Sequence, residues 1–184
     1  MLSIADVLGV DAFHLVGHDW GAIVGWLVAA SAPDRLLSWS ALTIPHPQAL
    51  AKAIETDSEQ ARRSRYIDLL QLPWLPEVLM ARGGFASLRD LESPVADAQV
   101  REYVAMFREP GAAMAAFNWY RALPEDMAAL TSSYPPVRVP TLFVWGTSDN
   151  VVAQSSVDAQ RSYLTGQYRE IALPAGHRLV QTHP

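Results

Sequence analysis

The sequence predicts an α/β protein built on a parallel sheet of about four strands, with a helical segment inserted into it. Strand-like apolar segments alternate with helix-like stretches, and they cover residues 13–18, 36–44, 141–146 and 168–173. This alternation is typical of βαβ units, whose strands are parallel. Residues 48–130 are rich in Ala, Glu, Arg, Leu and Met and contain no convincing strand. We therefore expect a core in two parts, residues 1–47 and 136–184, separated by a helical lid (cap) over residues 48–135.

The first strand leads into the turn around which the chain is organised. Phe13 to Val16 is apolar and is followed by Gly17-His18-Asp19-Trp20-Gly21 and a helix-like run. In a strand-turn-helix elbow of this kind the central residue is held in a strained conformation, and its neighbours are small because strand and helix nearly touch. An ordinary glycine-rich turn with an Asp helix cap is the alternative.

Helices are expected on either side of the strands. Residues 1–10 are typical of the end of an amphipathic helix, with Ile4, Val7 and Leu8 on one face and Gly9 as its C-cap. The uncharged stretch from Ala22 to Ala32 predicts a largely buried helix. Residues 151–165 also have a helical pattern. The lid is expected to contain short helices separated by turns at Leu72–Pro76, Arg82–Gly84 and Glu109–Gly111.

Composition excludes several classes of function. The net charge of −5 gives no basic surface for nucleic acid, and Arg62-Arg63-Ser64-Arg65 is interpreted as a solvated helix face. The uncharged run from Trp20 to Pro33 is shorter than the roughly 20 residues of a membrane span. There is no cysteine, and five histidines without clustered carboxylates predict no metal site. We expect a cytoplasmic protein that needs no cofactor.

Three polar residues follow predicted strands. Asp19, Asp149 and His177 each lie near the carboxyl end of a strand. Each is weak alone, because an Asp in a turn is usually a turn former and a Gly-His pair near a C-terminus is often incidental. Together they have the chain order of the α/β-hydrolase triad, which is nucleophile, acid and histidine.

At these residues the chain resembles the epoxide hydrolases of the α/β-hydrolase superfamily. The similarity runs over essentially all 184 residues. The elbow is shared with haloalkane dehalogenases, whereas the lid motifs are more specific to epoxide hydrolases. The motifs are Gly17-His18-Asp19-Trp20-Gly21, Ile44-Pro45-His46-Pro47, Tyr66 through Gln71-Leu72-Pro73, Asn118-Trp119-Tyr120-Arg121 and Ala175-Gly176-His177.

The resemblance implies a covalent mechanism that uses epoxide and water. Asp19 would attack an epoxide carbon and form an alkyl ester, because a carboxylate can displace a leaving group without first losing a proton. His177 would then activate water as a general base, and Asp149 would orient and stabilise its ring. The backbone N–H of Trp20 would provide an oxyanion-hole donor.

The lid tyrosines are implied to stabilise the opening ring. By motif match Tyr66 and Tyr120 would donate hydrogen bonds to the epoxide oxygen, and the alternative is that both are amphipathic residues of the lid. Trp20 and Trp119 are candidates for substrate binding, with core packing as the alternative. The histidines expected to have structural roles are His14, His18 beneath the elbow, His46 and His183.

The resemblance also implies that part of the family's fold is missing. Only 18 residues precede Asp19, and nothing there matches the family's first strands or its His-Gly-x-Pro loop. We expect the strand at residues 13–18 to lie at an exposed sheet edge, which favours self-association and weak turnover by this chain. Haloalkane dehalogenation and a non-catalytic fragment or binding module therefore remain as alternatives.

Overall fold

The computed structural model describes residues 1–82, 95–131 and 134–183, with residues 124–131 described by their backbone alone. The chain divides into two compact units. The first contains Met1–Arg63 and Leu130–Val180, and the second contains Ser64–Ala129 and Gln181–Pro184.

A four-stranded parallel sheet forms the centre of the first unit. Its strands are β1 (Phe13–His18), β2 (Leu36–Leu42), β3 (Thr141–Gly146) and β4 (Tyr168–Leu173). They lie side by side in the order β1-β2-β3-β4, and each neighbouring pair is parallel. The predicted fold class is confirmed. The expected end of the second strand at residue 44 is wrong, because Thr43 takes a φ of 68° and leaves the extended conformation after Leu42.

The helices alternate with the strands and fill the inserted segment. In chain order they are α1 (Leu2–Val7), α2 (Trp20–Ser31), α3 (Pro47–Thr56), α4 (Ser58–Ser64), α5 (Tyr66–Gln71), α6 (Leu75–Ala81), α7 (Asp97–Phe107), α8 (Ala112–Thr131), α9 (Gln154–Gln160) and α10 (Leu179–Thr182). The described part of the inserted segment contains helices and no strand. The expected turn at 109–111 falls between helices, the one at 72–76 does so only over residues 72–74 because α6 begins at Leu75, and Gly83-Gly84 lies outside the described residues.

Two tryptophans join α2 to the sheet. Trp26 on α2 and Trp39 on β2 are almost fully buried and meet edge to face, with ring centroids 5.6 Å apart. Trp26 Nε1 also donates to the carbonyl oxygen of Ile44 at 3.0 Å. A Cβ on Gly25 would overlap the Trp39 ring, so this position must be glycine for α2 to approach so closely. The buried helix expected from residue 22 is present, and it begins two residues earlier.

Helix α1 forms, but its apolar face is not buried. Its only buried side chain is Ala5, whereas Ile4, Val7 and Leu8 are 65%, 87% and 70% exposed. Gly9 follows the helix with a φ of 67°, which suits a glycine C-cap. The prediction of a helix is thus confirmed, but Leu2 and Ala5 form its packed side, rather than the expected Ile4, Val7 and Leu8.

The helical segment is divided differently from the sequence expectation. We expected the lid to begin at residue 48, but α3 and most of α4 belong to the unit that contains the sheet. The reason lies in their packing, since α3 buries Ala49 and Ala53 and α4 buries Gln60. The assignment of residues 48–135 as a functional lid remains a prediction.

Candidate active site

Asp19 lies in a strained turn between β1 and α2. Its φ of 53° and ψ of −122° are unusual for a residue with a side chain, and such conformations cost of order 1–3 kcal/mol. Its carboxylate makes no capping hydrogen bond to α2. The geometry is that of the predicted elbow rather than of an Asp helix cap.

The two glycines of the elbow have different environments. A Cβ on Gly17 would lie 2.8 Å from the Trp39 ring and closer still to the carbonyl oxygen of Gly21. A Cβ on Gly21 would meet no atom within 4 Å. The strand and the helix therefore approach each other closely at Gly17 and Gly21, as expected, but the need for a small residue holds for Gly17 and not for Gly21.

The three predicted catalytic side chains meet at the carboxyl ends of the strands. His177 Nδ1 lies 2.9 Å from Asp149 Oδ2, and His177 Nε2 lies 3.0 Å from Asp19 Oδ1. The Asp149 side chain is fully buried, that of His177 is 14% exposed, and that of Asp19 is 39% exposed. One imidazole thus bridges an enclosed carboxylate and an accessible one.

The two carboxylates control the protonation of His177. Burial alone would lower the pKa of its ring, but the hydrogen bonds and charges of Asp149 and Asp19 outweigh this and raise the pKa to about 9. Burial raises the pKa of Asp19, but the hydrogen bond and charge of His177, together with the backbone N–H of Trp20, hold it below its usual value. The two acidic side chains therefore favour the protonated form of the His177 ring at neutral pH.

Asp149 is oriented by its own loop. Its Oδ1 accepts the backbone N–H of Val151 at 2.7 Å and that of Val152 at 3.2 Å. These bonds leave Oδ2 to accept the Nδ1–H of His177. The acid therefore presents one oxygen to the loop and the other to the base.

His18 contacts the loop that carries His177. Its Nε2 lies 3.0 Å from the backbone carbonyl oxygen of His177, so this nitrogen is the donor, and the two rings have centroids 5.6 Å apart. Besides the packing beneath the turn that we expected, His18 thus has a hydrogen bond to the loop of His177. The position of His18 directly before Asp19 was the feature of the sequence that could have indicated this contact.

Two side chains of α4 contact the loop after β3 and were not predicted. Gln60 is fully buried, and the Arg63 side chain is 23% exposed. Arg62 and Arg65 fit the expected solvated face, since both are exposed, and the side chain of Arg62 is 65% exposed. The interpretation of the whole cluster as a solvated face is therefore wrong for Arg63, whose guanidinium bonds to backbone carbonyls.

The candidate tyrosines meet within the second unit. The rings of Tyr66 on α5 and Tyr120 on α8 have centroids 6.1 Å apart and are inclined by 76°. The neighbouring Arg121 forms an ion pair with Glu77 at 2.8 Å and donates to the carbonyl oxygen of Leu72 at 2.8 Å. Arg121 thus connects the Tyr120 helix to the segment between α5 and α6.

The two candidate tryptophans are only partly enclosed. Trp119 is 55% exposed on α8, and Trp20 is partly buried at the start of α2. Their proposed contact with substrate stays a prediction. Within the described residues there is no group of three or more His, Cys, Asp or Glu side chains suited to a metal ion. None of the described helices has both the length and the apolarity that a membrane span requires.

The fold and the Asp-His-Asp arrangement define an α/β-hydrolase. Residues 3–184 match the family model of the alpha/beta hydrolase fold, and the chain belongs to that family. Among curated relatives, epoxide hydrolase 4 of Homo sapiens is 28% identical over 194 residues, which covers 99% of this chain and 53% of that protein. The AB hydrolase superfamily protein YfhM of Bacillus subtilis (strain 168) is 32% identical over 146 residues, which covers 76% of this chain and 50% of that protein. The resemblance to epoxide hydrolases is thus confirmed, and the chain spans about half the length of these relatives.

Solved structures agree with the fold. The crystal structure of an epoxide hydrolase from Bacillus megaterium in complex with an inhibitor superimposes with a TM-score of 0.82 at 23% identity. The match covers 97% of this chain and 68% of that one.

Proposed function

We propose that this chain carries the reacting residues of an epoxide hydrolase, which converts an epoxide and water into a vicinal diol. The observation that carries the proposal is a carboxylate, rather than a hydroxyl, at the elbow, within hydrogen-bond distance of a His-Asp pair. A carboxylate already carries the electron pair needed to attack a saturated carbon. The epoxide hydrolases among the relatives support the choice of substrate class.

In the first step Asp19 forms a covalent ester. One carboxylate oxygen bonds to an epoxide carbon, the ring C–O bond breaks, and the ring oxygen takes a proton to become a hydroxyl. We assign the proton to Tyr66 or Tyr120, whose rings are neighbours. The tyrosinate that remains is reprotonated in the second step.

In the second step water cleaves the ester. His177 takes a proton from water, which attacks the ester carbonyl, while the Trp20 N–H stabilises the oxyanion that develops there. Collapse of this intermediate breaks the bond between the carbonyl carbon and the alkyl oxygen, and His177 returns its proton to the departing oxygen. The other water proton restores the tyrosine, so the sum is epoxide plus water to diol.

Oxygen labelling tests the covalent step. With the enzyme in excess over a styrene-oxide-type epoxide, in water labelled with heavy oxygen, the first diol should contain no label and Asp19 should become labelled. Direct attack of water on the epoxide would instead label the diol and leave Asp19 unchanged, which would refute the nucleophile assignment. In His177→Gln the ester should accumulate as a mass increase on the peptide that contains Asp19.

Haloalkane dehalogenation is the second candidate. The Asp19-Trp20 pair suits it equally well, with Trp20 and a tryptophan of the helical segment binding the halide. The adjacent tyrosine rings favour epoxide opening, because a departing halide needs no proton. Diol and halide release from matched substrates separates the two reactions. Absence of both would support the alternative of a non-catalytic fragment.

A further inference from the structure

Gln60 binds the loop that carries the acid. We call residues 147–153 the acid loop. Gln60 Nε2 donates to the carbonyl oxygen of Val151 at 2.9 Å, and its Oε1 accepts the N–H of Ala153 at 2.7 Å. Because this amide is fully buried, both bonds replace water that the loop backbone would otherwise require. Gln60 therefore holds the acid loop from both sides of Val152.

Arg63 binds the same loop one helical turn further along α4. Its Nη1 donates to the carbonyl oxygens of Asp149 and Val152, the latter at 2.5 Å. Its Nε donates to Glu59 Oε1 at 2.8 Å, which fixes the plane of the guanidinium. Arginine suits this role because its rigid fork holds several donors in one plane.

The bonds from α4 reach the very residues that hold the acid. The N–H groups of Val151 and Val152 bind Asp149 Oδ1, while their carbonyl groups accept from Gln60 and Arg63 respectively. A shift of either backbone unit would therefore move the carboxylate. Since Asp149 Oδ2 is 2.9 Å from His177 Nδ1, such a shift would misalign the base.

We propose that Gln60 and Arg63 are positioning residues for the Asp149–His177 pair and act on the reaction only by fixing the acid loop. The kinetic part rests on the proposed function, whereas the effect on His177 does not. Neither side chain is assigned contact with substrate.

When Arg63 is replaced by a neutral residue, a positioning role and a simple charge effect predict opposite changes in the pKa of His177. Asp149, Asp19 and His18 contact His177, Arg178 follows it in the chain, and Arg63 donates to the carbonyl oxygen of Asp149. Removing the positive charge of Arg63 would by itself raise the pKa of His177. Loosening Asp149 would lower it, because the imidazolium loses its partner.

The test is a nitrogen-labelled histidine titration by NMR on the full chain. The resonance of His177 is the one that is absent from the spectrum of His177→Gln. In Arg63→Met and Gln60→Met the pKa of His177 should fall from about 9 by roughly one unit. In the matched control Arg62→Met, which also removes a partner of Glu59 but no bond to the acid loop, it should stay unchanged. An unchanged or raised value in folded Arg63→Met would overturn the proposal.

A conservative variant keeps the test decisive if Arg63→Met does not fold. If Arg63→Met does not fold, Arg63→Lys keeps the charge but lacks the fork, and a smaller fall is expected; no fall would reject the proposal. With a substrate that turns over, kcat should drop roughly 10- to 100-fold in Arg63→Met while KM changes little. If the wild type turns over no epoxide, the proposed function fails, and the titration still decides the role of Gln60 and Arg63.

Discussion

Replacing Asp19 with asparagine tests how the site controls its base. The pKa of His177 is about 9, which is about 2.5 units above its ordinary value. Its two carboxylate partners lie at nearly equal distances, 2.9 Å for Asp149 and 3.0 Å for Asp19. The Asp19 side chain is 39% exposed, so solvent screens it more than the buried Asp149. We therefore expect Asp19→Asn to lower the pKa of His177 by about 1 unit.

The substitution imitates the neutral state that Asp19 would have in the proposed covalent ester. An imidazolium cannot accept a proton from water, so a histidine with a pKa of about 9 is a poor base at neutral pH. Ester formation would remove the charge of Asp19, and the same fall of about 1 unit would raise the neutral fraction of His177 at pH 7 from about 1% to about 10%. The acid-base state of His177 would thus follow the progress of the reaction.

The assay is an NMR titration of the His177 ring in both proteins. Mass spectrometry must show that the amide introduced by Asp19→Asn is intact, because deamidation would restore the carboxylate. A pKa that stays at about 9 in the intact variant would refute the reasoning, since Asp149 alone would then hold the proton. Asp149→Asn is the comparison, and its fall should be larger because Asp149 is buried.

Further predictions concern the tyrosines, acid stability and the sheet edge. Tyr66→Phe and Tyr120→Phe should each slow ester formation, and the double variant should nearly abolish it in rapid-quench experiments; wild-type rates would favour dehalogenation. Burial lowers the pKa of His46 from 6.5 to about 4. Between these two pH values His46 is therefore protonated in the unfolded chain and neutral in the folded chain. The contribution of His46 to stability should therefore fall by about 2 kcal/mol from pH 7 to pH 5, and the difference between the wild type and His46→Asn in urea unfolding measures it. In the described structure β1 pairs only with β2, and Val16 is 63% exposed; Val16→Lys should reduce self-association measured by sedimentation, and a monomeric wild-type chain of residues 1–184 would contradict this.

The sequence was sufficient for the sheet and for the three candidate catalytic residues, because both depend on local patterns. Short apolar strands ended by turns gave three of the four strand ranges without error. The exception, β2, ends at a positive φ of Thr43, which β-branched residues rarely adopt and which composition cannot predict. Asp19, Asp149 and His177 were found because parallel strands bring their carboxyl ends to one edge of the sheet.

The residues that the sequence did not reveal act through long-range contacts. Arg63 is one of three neighbouring arginines, and no local pattern distinguishes it from the exposed Arg62. Its role depends on carbonyl groups more than 80 positions away. Likewise His18 bonds to a carbonyl group 159 positions along the chain. Such partners are set by tertiary packing, so the folded structure is needed to identify them.

The arrangement of the strands explains why a glycine ends β3. His177 follows β4, whereas Asp19 follows β1, and three interstrand steps of about 4.8 Å would hold their strand ends about 14 Å apart. The chain after β4 must therefore return across the end of β3 to bring His177 to Asp19. A Cβ on Gly146 would collide with the carbonyl oxygens of Ala175 and Gly176, so this crossing passes directly over that residue. The backbone N–H of Ser148 donates to the carbonyl oxygen of Ala175 at 3.0 Å. This bond joins the crossing segment to the acid loop, next to the contact between Asp149 and His177.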